Sequence, residues 1–413
     1  MVTKYDVFEI VYHNRIPTKP KDVVALLGKG QQEYNNIRML LVMLVQEELL
    51  VKTAFGFQAK PHSKADLLFR LIRYCVHNNI NYNQLLNFNL ASFVAEALYQ
   101  GEITTQNSQI NPKTFQQYVE ILSSYGLLLI RSKKPWQVKV FYNSLIKNLL
   151  LYYDLKPRFK SQEINYLSEI ERELHLFKAL QKKNEAKYRE LLEKIKISFI
   201  HHSLLLEGNP LTLPETIKVI KYKILPKEMS LEAVEEVQNY QKAIMEMLKD
   251  SPRKGKITLP LILQYHKIAL QHRPDIAGKI RTVEVRIHGN PLFKIAKAST
   301  IKARLEKLLE KYYTFLKRKK KSMKEILQFA AYFHNEFQQI HPFVDGNSRT
   351  TRILTLYILQ VEGLPILDLP LGLLDEYMSL TKKSSQRIDT DLYAHLQKMI
   401  LWNLKMMNRE LKG

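Results

Sequence analysis

The chain has one cysteine in 413 residues. A disulfide within the chain is therefore excluded, and so is a metal cluster built on cysteines. Cys75 lies in an apolar-periodic stretch (LFRLIRYCVHN), where a small buried hydrophobe is the plain reading. The lack of paired thiols points to a reducing, cytosol-like compartment, and a cytoplasmic location is expected. Long hydrophobic runs are missing too. The longest, around Met39 to Val45, is far short of the ~20 residues a membrane-spanning helix needs, so no membrane partner is expected. The first residues (MVTKYDVFEIVYHN) show no charged start followed by an apolar block, so no secretory signal is expected. Glycine and proline are modest at 13 and 16, and 46% of residues are apolar, which excludes fibrous and disordered classes and suits a mostly helical protein.

The length is too great for one compact core, and two or three domains are expected. The formal net charge of +23 favours polyanionic partners. Residues 1–150 hold 17 Lys+Arg against 10 Asp+Glu, and the remainder holds 46 against 30. The excess is spread out and marks no single segment as a nucleic-acid binder. The run Lys317-Arg318-Lys319-Lys320-Lys321 interrupts two helical patterns and reads as a solvated inter-helix loop.

The first 150 residues repeat a pattern weakly. In the second copy, Asn111-Pro112-Lys113 opens a helix with Phe115, Tyr118, Val119 and Leu122 inward, and Gly126 ends it. A strand follows (127–130), then a basic turn at Arg131–Pro135, then a returning strand with alternating Trp136, Val138, Val140 and Tyr142. In the first copy, PKDVVALLG predicts a short helix, Tyr34 to Glu47 a second, and LLVKTAFGFQAK a hairpin turning near Gly56. Helix, glycine stop and basic-tipped hairpin is winged-helix-like order. DNA contact through 1–150 and plain protein contact both stay open.

From about 160 to 207 apolar residues recur at helical spacing, predicting one long helix or two joined near Asn184. Thr212-Leu213-Pro214-Glu215 supplies a capping box for the next helix. The rest is helical except for Lys279 to Ile287 and Leu292 to Ala296, which predict a hairpin turning at His288–Pro291.

The segment IHPFVDGNSRTTRILTLYIL, residues 340–359, carries the chemistry. Asp345-Gly346-Asn347-Ser348 reads as a turn feeding a helix, whose free N–H groups and positive dipole end suit phosphate. Arg349 and Arg352, three apart, share a face near that end. Asp345 is the candidate Mg²⁺ ligand, since Mg²⁺ carried on phosphates takes only one or two protein carboxylates. His341 is the candidate general base. His201-His202 and the pair His334/His341 lack the spacing of zinc proteases, so zinc is not expected.

His341, Pro342, Phe343, Asp345, Gly346, Asn347, Arg349 and Arg352 match the Fic motif, HPFx[D/E]GNGRxxR, and residues 180–400 resemble that family. The resemblance implies a Fic-type helical core with a β-hairpin flap; with the winged-helix-like N-terminal units read from the pattern above, which lie outside it, a mainly α fold is expected. The expected division is 1–60 (a possible winged-helix-like unit), 61–150 (a winged-helix-like domain), 151–207 (linker and inhibitory helix) and 208–413 (catalytic core). It implies AMP transfer from Mg-ATP to a Ser, Thr or Tyr hydroxyl of a protein, itself included. His341 would deprotonate the hydroxyl and Asp345 would hold Mg²⁺. Gly346, Asn347, Ser348, Arg349 and Arg352 would cradle the phosphates. Tyr377 stands where an adenine-contacting tyrosine often falls, with a core role equally open. Thr282, Val283, Glu284 and Val285 resemble the flap that positions the target by strand addition.

Ser348 departs from the family's usual glycine, which allows unusual backbone angles; weaker ATP binding, or transfer of another phosphate-containing group, follows as an alternative. Ser203-Leu204-Leu205-Leu206-Glu207-Gly208-Asn209 resembles the family's inhibitory motif. Glu207 would then pair with Arg352 and occupy the γ-phosphate position. A carboxylate in a helix's last turn faces the negative dipole end, which a cation partner would offset. The same glutamate could position water for AMP removal. The rival expectation is a DNA-binding regulator that keeps the fold as a nucleotide sensor.

Overall fold

The computed structural model describes residues 2–60, 63–159, 165–226, 229–251, 255–287 and 290–412. The chain divides into two compact units, Met1–Ser161 and Gln162–Gly413.

The first unit opens with helices α1 (Lys4–Asn14), α2 (Pro20–Leu26) and α3 (Tyr34–Gln46), then the hairpin of β1 (Leu50–Thr53) and β2 (Gly56–Ala59). There follow α4 (Ser63–His77), α5 (Tyr82–Leu85), α6 (Phe88–Gln100), β3 (Ile103–Thr104), α7 (Pro112–Ser124), β4 (Leu128–Lys133), β5 (Trp136–Val140) and α8 (Ser144–Tyr152). The second sheet is antiparallel with order β3-β5-β4. Helix α7 starts as the sequence predicts: the Asn111 side chain accepts from Lys113 N–H, and Pro112 fills the first turn. Phe115, Tyr118, Val119 and Leu122 are its buried face, and Cys75 is buried in α4. The basic turn is shorter than expected. β4 runs on to Lys133, opposite Trp136, and Arg131 is drawn into the sheet by Glu102, 2.8 Å away. Only Lys134 and Pro135 are left to turn.

The second unit contains α9 (Leu167–Lys183), α10 (Glu185–Leu205), α11 (Leu213–Ile217), α12 (Leu231–Asp250), α13 (Leu259–Ala269), α14 (Ile301–Lys317), α15 (Met323–Ile340), α16 (Asn347–Val361), α17 (Leu374–Leu380) and α18 (Asp389–Lys412). Asn184 breaks α9 from α10, which decides for the second of the two readings the pattern left open, and α9 packs along α18 through Ile170, Leu174 and Phe177. The basic run falls between α14 and α15, where a Ser322/Glu325 capping box restarts the helix. Helix α16 sits at the centre, with all residues except Ser348 and Gln360 buried. A helix buried on every side needs its polar groups satisfied internally. Thr350, Thr351 and Thr355 do this by donating to carbonyls one turn back.

The expected flap hairpin is not a ladder. Among the described residues no strand lies within 279–296, and His288–Gly289 of the predicted turn fall outside them. The polar groups that a ladder would use are engaged elsewhere. Arg281 N–H donates to Pro342 O and Ala296 N–H to Gln339 O. The Arg281 guanidinium bridges the two arms, reaching Val283 O at 2.9 Å and Ala296 O at 2.5 Å. The two arms are thus held together by a buried cation rather than by strand pairing.

Candidate active site

Helix α15 delivers His341 at its C-terminal end, with φ 50° and ψ 62°. Left-handed backbone is uncommon for a residue other than glycine and is kept only where surroundings over-determine it. Here His341 N–H donates to Phe337 O at 3.0 Å, and its carbonyl accepts from Arg281 Nε at 2.8 Å. Burial pushes the imidazole down to about 4, against the opposing pull of the Gln338 backbone. It is therefore neutral near pH 7 and able to accept a proton.

The loop after His341 is bracketed by Asn347. Its amide donates to Phe343 O at 2.8 Å and accepts from Phe343 N–H at 2.9 Å. Asn347 thus shapes the loop, and that side chain is committed to backbone. Beneath it, the His266 ring stacks on Phe343 with centroids 3.6 Å apart. His266 Nε2 donates to Asp345 O at 2.9 Å while Nδ1 accepts from Gly278 N–H at 2.8 Å, which defines the neutral tautomer. Gly346 turns with φ 74°, and a Cβ there would come within 2.6 Å of Leu270 Cδ2. Gly346→Ala combines left-handed strain with a clash, so a loss of about 1–3 kcal/mol is expected in chemical denaturation. Wild-type stability would remove the steric reason for this glycine.

Both motif arginines are buried and paired with glutamates. Arg349 Nη1 contacts Glu236 and its Nη2 reaches Asp345 Oδ2 at 3.0 Å. Arg352 donates from Nη2 to Glu207 Oε1 at 2.6 Å and from Nε to Ser203 Oγ at 2.6 Å. The Ser203 hydroxyl in turn donates a hydrogen bond to Tyr240 Oη, 2.8 Å away. Glu207 also receives Lys382 Nζ on Oε2 at 2.5 Å. Burial raises the Glu207 carboxyl, but Arg352, Lys382 and Arg349 outweigh it and hold it at about 2. The same glutamate leaves Arg352 more firmly protonated than usual despite burial. Glu236 uses its other oxygen on Asn209 Nδ2 at 2.7 Å, tying the turn after α10 to α12. A cleft of about 260 Å³ opens here, lined by Glu207, Asn209, Glu236, His272, Asp345 and Arg349 among others.

The remaining predicted residues fall in varied places. Ser348 lies inside α16 and is not among the residues with positive φ, so its Cβ carries no backbone strain. No side chain caps the first turn of α16. Asp345 keeps its carboxylate 48% exposed. No group of three or more His, Cys, Asp or Glu able to hold a metal occurs among the described residues. A single accessible carboxylate therefore fits Mg²⁺ only when phosphates and water complete its shell. Tyr377 is buried, its hydroxyl 2.9 Å from His334 Nε2, so its ring belongs to the core in this state. Thr282, Val283 and Glu284 are exposed and Val285 partly so, with no partner strand. His201 faces Thr216 and His202 faces Asp368. Glu236, His266, Arg281 and Lys382 were not anticipated as site residues, and only Arg281 lay inside a segment already singled out, the arm from Lys279 to Ile287.

Burial also lowers His266 to about 4 and His334 to about 3. Above pH 6.5 both histidines are neutral folded or unfolded, and their contribution is complete. As pH falls from 6.5 towards 4 the unfolded chain takes up protons that the fold cannot, so stability drops. Each is expected to cost about 1–2 kcal/mol between pH 6.5 and 5, read by denaturation of the full chain. His266→Gln should flatten that slope; an unchanged slope would mean His266 is not buried neutral.

Residues 256–359 match the Fic/DOC family model. The chain carries a Fic/DOC family domain. Its sequence is 27% identical over 188 residues to the protein adenylyltransferase Fic of Drosophila persimilis, covering 45% of this chain and 36% of that protein. The Drosophila mojavensis protein of the same name is 26% identical over 221 residues, covering 53% and 42%. The chain thus spans about a third to two fifths of the curated relatives it matches. The fold is similar to the crystal structure of a Fic domain containing signaling protein from Bacteroides thetaiotaomicron, with TM-score 0.53 at 20% identity, covering 59% of this chain and 98% of that one. The domain places the uncapped start of α16, both arginines, Asp345 and His341 around one loop.

Proposed function

We propose that this chain transfers AMP from Mg-ATP to a hydroxyl side chain of a protein, itself included, and that Glu207 restrains the reaction. The observation that carries this reading is the Glu207–Arg352 pair: an anion already occupies the buried cation beside the helix N-terminus that phosphate would use. His341 takes the proton of the target hydroxyl. The hydroxyl oxygen bonds to the α-phosphorus as the bond to the bridging oxygen breaks, and pyrophosphate leaves. The first turn of α16 with Arg349 and Arg352 holds the phosphates. Mg²⁺, held through Asp345, would neutralise charge on the leaving phosphates. The exposed segment Thr282–Val285 would take up strand pairing with the target when it binds. With Glu207 turned towards water instead, the same site would remove AMP.

Mass spectrometry of the full chain carrying Glu207→Gly, with candidate proteins, after incubation with Mg-ATP tests this directly. AMP on a Ser, Thr or Tyr supports transfer; unmodified proteins alongside measurable ATP binding would favour a nucleotide sensor. The sensor reading draws on the first unit, where α6-β3-α7-β4-β5 follows winged-helix order and Lys133 and Lys134 stand at the hairpin tip. Binding of the full chain to duplex DNA at low salt, weakened by Lys133→Ala with Lys134→Ala, is its test.

A further inference from the structure

The brake glutamate is held by two cations, and the second has no part in the motif. Arg352 Nη2 lies 2.6 Å from Glu207 Oε1, and Lys382 Nζ lies 2.5 Å from Oε2. We infer that Lys382 is a ligand of the nucleotide γ-phosphate, taking over from Glu207 when the brake opens. This deepens the AMP-transfer reading and rests on it.

Two cations converging on one carboxylate form an anion site that outlasts its present occupant. Removing Glu207 leaves a buried guanidinium and a nearby ammonium with like charges facing each other, a costly arrangement unless another anion arrives. A terminal phosphate presents two oxygens spaced much like those of a carboxylate and carries enough charge for both groups. Lysine acts as a point charge on phosphate, so it needs no forked geometry.

Lys382 is also fixed independently of Glu207. Its backbone carbonyl accepts from Asn290 Nδ2 at 2.7 Å, and that amide holds Ser384 O at 2.7 Å as well. Thr381 N–H, just before it, donates to Tyr377 O. The ammonium makes a second contact, to Leu206 O at 2.8 Å, at the end of the helix that carries the brake. The cation therefore stays near Arg352 when the carboxylate leaves. Its side chain is 31% exposed against 4% for Arg352, so it lies on the solvent side, where a terminal phosphate would enter.

The test compares ATP with ADP, since only ATP carries the γ-phosphate. The full chain with Glu207→Gly and His341→Asn, expected to bind nucleotide without turnover and checked to be folded by its melting curve, serves as parent. Calorimetry with Mg-ATP and Mg-ADP is then repeated after adding Lys382→Met. The expected result is an ATP affinity lowered about tenfold with ADP affinity unchanged, the loss of one charge-assisted contact. Equal losses for both nucleotides, or no loss for either, would make Lys382 a latch on the brake only and overturn the inference. A parent that binds neither nucleotide would overturn the AMP-transfer reading itself, and the inference with it.

Discussion

Glu207→Gly is expected to raise labelling of the chain from ATP radiolabelled at the α-phosphate by on the order of 10–100-fold. The carboxylate holds Arg352 and Lys382 through two charge-assisted contacts, which on the proposed reading the γ-phosphate would have to replace. Each such contact is worth about 1.5–3 kcal/mol, and ATP must displace them before its terminal phosphate can seat. A second consequence follows from burial. Without Glu207 the Arg352 guanidinium is left buried against Ser203 with no counter-charge. The variant free of nucleotide should therefore melt below the wild type, and Mg-ATP should restore it more strongly than it shifts the wild type. Labelling at the wild-type level, with ATP binding intact, would show that the pair is structural and that no brake exists.

In the released background, loss of His341 should lower labelling by about 10²–10⁴-fold while leaving ATP affinity nearly unchanged. The reason is positional: His341 ends α15 across the loop from the phosphate-facing start of α16 and touches neither arginine. Alanine at a left-handed position carries its own strain of roughly 1–2 kcal/mol, so a folding defect has to be separated from a chemical one. His341→Asn does this, because asparagine tolerates left-handed backbone but cannot act as the base. Both variants should lose labelling, and only the alanine should melt early. Labelling retained in His341→Asn would exclude a proton-accepting role for this side chain.

The elements written in short stretches of chain were legible beforehand. The capping box at Thr212–Glu215, the Asn184 break, the buried face of α7 and the start of α16 all depend on residues within one or two turns of each other. The Glu207–Arg352 pair was also foreseen, although it joins residues 145 apart, because a family motif marked both partners. The backbone at Ser348 could be judged only in the structure, where a helical conformation leaves its Cβ without strain.

The sequence by itself determined the helical class and brought His341 and the proposed phosphate-meeting residues together in one short segment, since spacing along a helix sets which side chains share a face. Tertiary structure alone decided what each of those groups faces. Glu236 and Lys382 come from distant helices and loops to complete the charge balance around Arg349 and Glu207. His266 reaches from α13 to hold the Asp345 carbonyl, and Arg281 replaces the expected strand pairing of the flap. None of these contacts has a local signature. A buried charge or carbonyl must find some partner, but which one it finds depends on how the helices pack.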